Sequence, residues 1–273
     1  MTSTRRSWDT RYELLLFFVL TYALTIAATA AANYWTAVPY SLFFIPQVFS
    51  PTIIAVILTA ITDGWEGAKK LLLRYVQWRV GGRWYVAAFA LAWIPLLVAL
   101  VYIALGNPPR GLEPGMTPGM LLFYLVYNLY AGPLSEEGGW RGYALPRLQK
   151  HFSALTSSLI LGVIWSCWHL PFYMNSGGKA GIPFPAYLAL VTVMTIFLTW
   201  LYNNTGGSLL LTMLAHFSFN AGQAFIVSHL GLLPGMVFNI VCSVGLTLLV
   251  VGIVIYYGPR RLVRAAPAGR EAA

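Results

Sequence analysis

Residues 14–62 read LLLFFVLTYALTIAATAAANYWTAVPYSLFFIPQVFSPTIIAVILTAIT, 49 residues without one Asp, Glu, Lys or Arg. A membrane-spanning helix needs about 20 predominantly apolar residues. The stretch holds two such spans, separated by the turn signals between Asn33 and Pro39. Four more charge-free runs follow: Trp84–Pro109 (26 residues), Pro114–Ser135 (22), Phe152–Gly178 (27) and Ala180–Pro259 (80). Asn203-Asn204-Thr205-Gly206-Gly207 and the segment Gly231 to Gly235 divide the last of these. The reading is all-α: a multi-pass membrane protein of eight spans, near 12–32, 40–62, 84–105, 118–135 with an extension, 153–172, 184–202, 208–229 and 235–257. Residues 12–258 form one integral membrane domain, flanked by tails at 1–11 and 259–273 that are expected to be polar and mobile. The first apolar run is too long for the core of a cleavable signal peptide.

Composition agrees. Charged residues make up 9% of the 273, against roughly 25% in soluble domains. Hydrophobic residues make up 58%, so a soluble enzyme and a disordered chain are both excluded. Two cysteines, Cys167 and Cys242, supply neither a disulfide framework nor a four-cysteine zinc site, and they read as packing residues. The net charge of +9 does not point to nucleic acid, because of where it lies. With both termini cytoplasmic, 15 of the 17 basic residues fall on the cytoplasmic side, leaving Arg110 and Lys179 outside. That is the asymmetry of the positive-inside rule. Residues 65–84 mix Lys, Arg, Trp and Leu, and read either as an interfacial helix or as a basic loop.

Six of the eight acidic residues read as tail or loop positions: Asp9, Glu13, Asp63, Glu66, Glu113 and Glu271. Glu136 and Glu137 instead follow an apolar run, in Gly132-Pro133-Leu134-Ser135-Glu136-Glu137-Gly138-Gly139-Trp140-Arg141. Carboxylates at membrane depth are costly, and are paired or functional. Gly132-Pro133 is expected to break or kink the helix, with Ser135 capping a second segment. Glu137 and Arg141, four apart, share one helix face and suit an ion pair. Glu136 points about 100° away from that pair. Glu137 therefore reads as structural and Glu136 as chemical. Gly138-Gly139 is unfavourable within a helix and suggests a close helix contact or an approachable backbone.

With a turn near residue 152, Glu136 lies 16 residues before it and His169 17 after it. At about 1.5 Å rise per residue, a helical hairpin brings them to similar depth. His169 lies four residues after Trp165. His216 and Asn220 are also four apart, so both face one side of a third span. His151 and His229 read as surface residues in turns.

The combination Glu-Glu-x-x-x-Arg, aromatic-x-x-x-His and His-x-x-x-Asn on three spans resembles the CPBP family of intramembrane proteases, which includes the CAAX-type prenyl endopeptidases. The resemblance covers about residues 118–222 and extends to the eight-helix layout with cytoplasmic termini. Trp140 and Trp165 stand where phenylalanine is common, and Gly138-Gly139 replaces bulkier residues. The resemblance implies that Glu136 activates water, His169 positions it or shares the base role, and His216 and Asn220 stabilise the oxyanion. Glu137 and Arg141 then support the site. No cofactor is favoured. A zinc alternative stays open, with Glu136, His169 and His216 as ligands and one open position, although the chain lacks His-Glu-x-x-His. The expected partner is a membrane-associated peptide or protein, a prenylated CAAX-type one by resemblance, met in the lipid bilayer and not on nucleic acid. Thirteen Arg against four Lys hint at a prokaryotic host, and so at the plasma membrane. The competing readings are a proton-coupled transporter or channel, and a non-catalytic membrane scaffold or immunity protein. The former predicts paired repeats with broken helices, and the sequence shows none.

Overall fold

In the computed structural model, residues 9–107, 115–175, 183–224 and 235–264 are described. The expectations on Arg5, Arg6, Arg110, Glu113, Lys179, His229, the Gly231 turn, Arg270 and Glu271 fall outside them. The helices are α1 (Thr10–Tyr34), α2 (Tyr40–Leu73), α3 (Gly82–Ala104), α4 (118–148), α5 (Ala154–Trp168), α6 (Leu170–Asn175), α7 (Phe184–Asn204), α8 (Leu209–Ala224) and α9 (Gly235–Tyr257). A helix covers the described part of each expected span. Among the described residues, five helices are long and apolar enough to cross a membrane: Thr10–Tyr34, Tyr40–Val76, Gly82–Ala104, Phe184–Asn204 and Ile240–Tyr257. Ala154–Trp168 and Leu209–Gly222 are shorter apolar helices. The chain is a multi-pass, all-α integral membrane protein.

Three close pairings organise the bundle: α1 on α2, α5 on α7, and α3 on α8. The middle of α4 lies against α2. Lipid tails are as apolar as the side chains, so packing and polar contacts hold such helices together. Trp168 donates its indole N–H to Thr25 Oγ1 at 2.8 Å, Thr25 meets Ser50 Oγ at 2.6 Å, and Gln47 Nε2 donates to Thr29 at 2.6 Å. These bonds tie α1, α2 and α5 together. Phe17 and Trp168 both meet Trp140 edge to face, with centroids at 5.7 Å and 5.8 Å, and fill the core between them.

Several expectations need correction. The Gly132-Pro133 step does not end a helix, and Ser135 caps nothing. α4 continues through it in wide π-turns at Tyr130–Leu134 and Trp140–Ala144, with Ser135–Gly139 between them. Proline lacks the N–H that a tight turn would require, and widening accommodates it without a stop. Ser135 Oγ donates back to Gly132 O at 2.9 Å.

The segment from Trp65 is not a loop. Gly64, at φ 74°, redirects α2, which runs on to Leu73 and then into the tight turn Arg74–Val76. Glu13, Asp63 and Glu66 are helical. Glu13 is buried and pairs with Arg147 Nε at 2.6 Å, because the last turn of α4 ends beside the first turn of α1. The C-terminal tail also begins as fixed structure. Ala154 N–H donates to Arg260 O (2.8 Å) and Leu155 N–H to Pro259 O (3.1 Å), supplying acceptors to the otherwise unpaired start of α5. Leu262 is fully buried there at φ 51°.

Candidate active site

The wide turns of α4 present two successive carboxylates to the interior. Glu137 and Arg141 are fully buried and joined at 3.0 Å between Oε1 and Nη1. Arg141 Nη2 reaches Thr195 Oγ1 on α7 at 3.4 Å, and its guanidinium lies 4.2 Å from the Trp165 ring centroid. Glu137 Oε1 also meets His216 Nδ1 of α8 at 2.9 Å. A carboxylate only accepts, so Nδ1 donates. The polarity of Glu137 is thus divided between a guanidinium and an imidazole from two different helices.

Glu136 faces elsewhere. It is 4% exposed, and its Oε2 accepts the Trp165 indole N–H at 2.5 Å. His169, at the end of α5, directs Nδ1 to the Trp165 carbonyl oxygen at 2.8 Å. A carbonyl cannot donate, so that nitrogen carries the proton and Nε2 is turned to the carboxylate, 3.8 Å from Glu136 Oε2. This spacing exceeds a direct hydrogen bond and suits a bridging water.

Gly132 marks where the remaining groups converge. A Cβ there would lie 3.3 Å from Asn220 Nδ2, 3.7 Å from Glu136 Oε1 and 4.0 Å from His216 Nε2. The missing side chain leaves a small space bounded by all three. The structure therefore brings together Glu136, His169, His216 and Asn220 from three helices, with Glu137 and Arg141 directly behind.

Gly138 and Gly139 let α2 approach this turn. A Cβ at Gly139 would fall 2.4 Å from Pro51 Cβ, and one at Gly138 would fall 2.7 Å from both Thr52 Oγ1 and the Tyr75 hydroxyl. Both readings of the glycine pair hold: a close helix contact and an approachable backbone. Cys167 is half-buried and Cys242 buried, and His151 is exposed. Among the described residues, no three His, Cys, Asp or Glu side chains come together as a metal-holding group. His169 and His216 each turn Nδ1 to a protein acceptor.

The profile of a family described as type II CAAX prenyl endopeptidase Rce1-like matches residues 118–222. The chain is also 25% identical, over 240 residues, to CAAX prenyl protease 2 of Methanococcus maripaludis. That match covers 80% of this chain and 85% of the relative. Residues 118–222 thus resemble that family, and the similarity to the relative extends beyond them. The matched segment opens at the first residue of α4 and closes two residues after Asn220, so all six converging side chains lie within it.

Sequence reasoning misses two groups. Trp165 was read as an aromatic stand-in, but its N–H holds the carboxylate of Glu136. A tryptophan four residues before a histidine was the available signal, since indole adds a donor that phenylalanine lacks. Tyr75 was not singled out at all, because it is remote in sequence and sits among ordinary basic residues.

Proposed function

We propose that this chain is an intramembrane endopeptidase in which Glu136 and His169 activate a water molecule against a peptide bond of a membrane-associated substrate. The observation that carries the reading is the 3.8 Å spacing between His169 Nε2 and Glu136 Oε2, beside Gly132, around which His216 and Asn220 also gather. Water between the two groups gives its proton to Glu136 as its oxygen attacks the carbonyl carbon. The carbonyl oxygen gains the charge and accepts hydrogen bonds from Asn220 Nδ2 and His216 Nε2. For Nε2 to donate while Nδ1 donates to Glu137, the imidazole carries both protons, and its charge meets that of the developing oxyanion, Glu137 being already paired with Arg141. The C–N bond then breaks, and the proton held by Glu136 passes to the leaving amine. Trp165 keeps Glu136 oriented throughout.

The first substrate to try is a prenylated CAAX-type peptide, given the similarity to CAAX prenyl protease 2 of Methanococcus maripaludis. A site within a lipid-facing bundle favours substrates that the membrane itself concentrates. The test is incubation of purified full-length protein in lipid nanodiscs with prenylated and unprenylated membrane peptides, read by mass spectrometry. Cleavage is expected in wild type, with or without a chelator, and a loss of about 10²–10⁴-fold in Glu136→Gln. Full activity in Glu136→Gln overturns the mechanism. Loss on chelation, restored by Zn²⁺, replaces it with a metal-assisted one.

A further inference from the structure

Tyr75 lies outside the matched segment, in the tight turn Arg74–Val76 that follows α2. Its hydroxyl makes two short contacts with α4. It donates to Leu134 O at 2.9 Å and accepts from Gly138 N–H at 2.7 Å. Leu134 and Gly138 are four residues apart, so these are the carbonyl and amide that a regular helix joins to each other. The hydroxyl bridges the one turn that contains Glu136 and Glu137. A side chain entering the backbone ladder in this way is a recognised cause of local helix deformation. Here it coincides with the interval between the two π-turns.

The same turn is clamped to the connection that leads into α8. Arg74 Nη1 donates to Tyr202 OH at 2.8 Å, and Gln77 Nε2 donates to Thr205 O at 3.1 Å. Ser208 Oγ donates to Gln77 O at 2.7 Å and accepts from Leu211 N–H at 3.3 Å in the first turn of α8. His216 and Asn220 project from the same helix. Hydrogen bonds at either end of the short Arg74–Gln77 backbone thus link the glutamate turn, held by Tyr75, to the base of the helix bearing the proposed oxyanion donors. Gly138 belongs to this arrangement, since a Cβ would stand 2.7 Å from the Tyr75 hydroxyl.

We infer that Tyr75 is a positioning residue of the active site: its hydroxyl sets the pitch of the turn carrying Glu136 and Glu137 and fixes that turn against α8. The inference rests on the proteolytic reading above. Tyr75 touches no substrate in this role, so its loss affects turnover and leaves substrate affinity alone.

The test uses Tyr75→Phe in the full-length protein in nanodiscs, assayed for peptide cleavage beside wild type and Glu136→Gln. The expected result is a roughly tenfold fall in kcat, with KM within twofold and a melting temperature within a few degrees of wild type. Gly138→Ala keeps the hydroxyl but displaces it, and is expected to reproduce the kcat defect. It also serves if Tyr75→Phe does not fold. Thr52→Val, which removes only a 3.4 Å contact to the Tyr75 hydroxyl, is expected to turn over normally. Wild-type kcat in both Tyr75→Phe and Gly138→Ala, with Glu136→Gln inactive, overturns the inference and leaves the proteolytic reading standing. So does a defect matched by a rising KM and a fallen melting temperature, which marks a merely structural residue. Full activity in Glu136→Gln removes the proteolytic reading and this inference with it.

Discussion

Trp165 shows how one substituted ring changes the working of a site. Its face receives Arg141 at 4.2 Å, its edge approaches His216 with centroids 5.1 Å apart, and its N–H holds Glu136. Phenylalanine would keep the first two contacts and lose the third. Trp165→Phe is therefore expected to fold normally and to lose about tenfold in kcat, the value of one hydrogen bond to a charged group. Trp165→Ala also empties a core position and is expected to cost about 3–5 kcal/mol of stability, read by thermal unfolding in detergent. Equal activity in wild type and Trp165→Phe would show that the indole N–H is dispensable.

At the scale of elements, the fold depends on how α4 carries charge into the bundle. Breaking a buried pair is expected to cost about 3–5 kcal/mol, so Glu137→Gln lowers the melting temperature. Replacing both partners by apolar groups is often neutral, so Glu137→Leu/Arg141→Met is expected to regain most of that loss. Activity does not return with it, because His216 Nδ1 has lost its acceptor. Recovery of cleavage in the double variant would refute the proposed link between Glu137 and His216 as an oxyanion donor. The i, i+4 spacings of Glu137 with Arg141 and of His216 with Asn220 were legible, because helical periodicity is local. The equal depth of Glu136 and His169 was legible too, because a hairpin needs only residue counting. The contact between Glu137 and His216 was not, since it depends on the rotation of α8 about its axis. The continuity of α4 through Pro133 is one of the two alternatives the Gly-Pro step leaves open, because a widened turn and a helix stop share one sequence signature.

Across the whole molecule, spans are readable from charge-free runs, while the pairing of charges between distant helices is not. Glu13 and Arg147 close the bundle across 134 positions of sequence. Pro259 and Arg260 complete the start of α5 from the far end of the chain. Truncation after Tyr257 is accordingly expected to lower the melting temperature by several degrees, whereas truncation after Arg264 is expected to be neutral. Differential scanning fluorimetry of the two proteins checks this. The buried set Glu137, Arg141 and His216 also constrains biogenesis. A charged residue at mid-helix costs roughly 2.5–3.5 kcal/mol on insertion into lipid, so α4 alone is a poor candidate for release from the translocon. Arg141 pairs with Glu137 within the segment, but the imidazole that completes the set is synthesised 79 residues later. The segment is therefore expected to stay beside the insertion machinery until α8 arrives, so that this buried set is assembled as membrane integration completes.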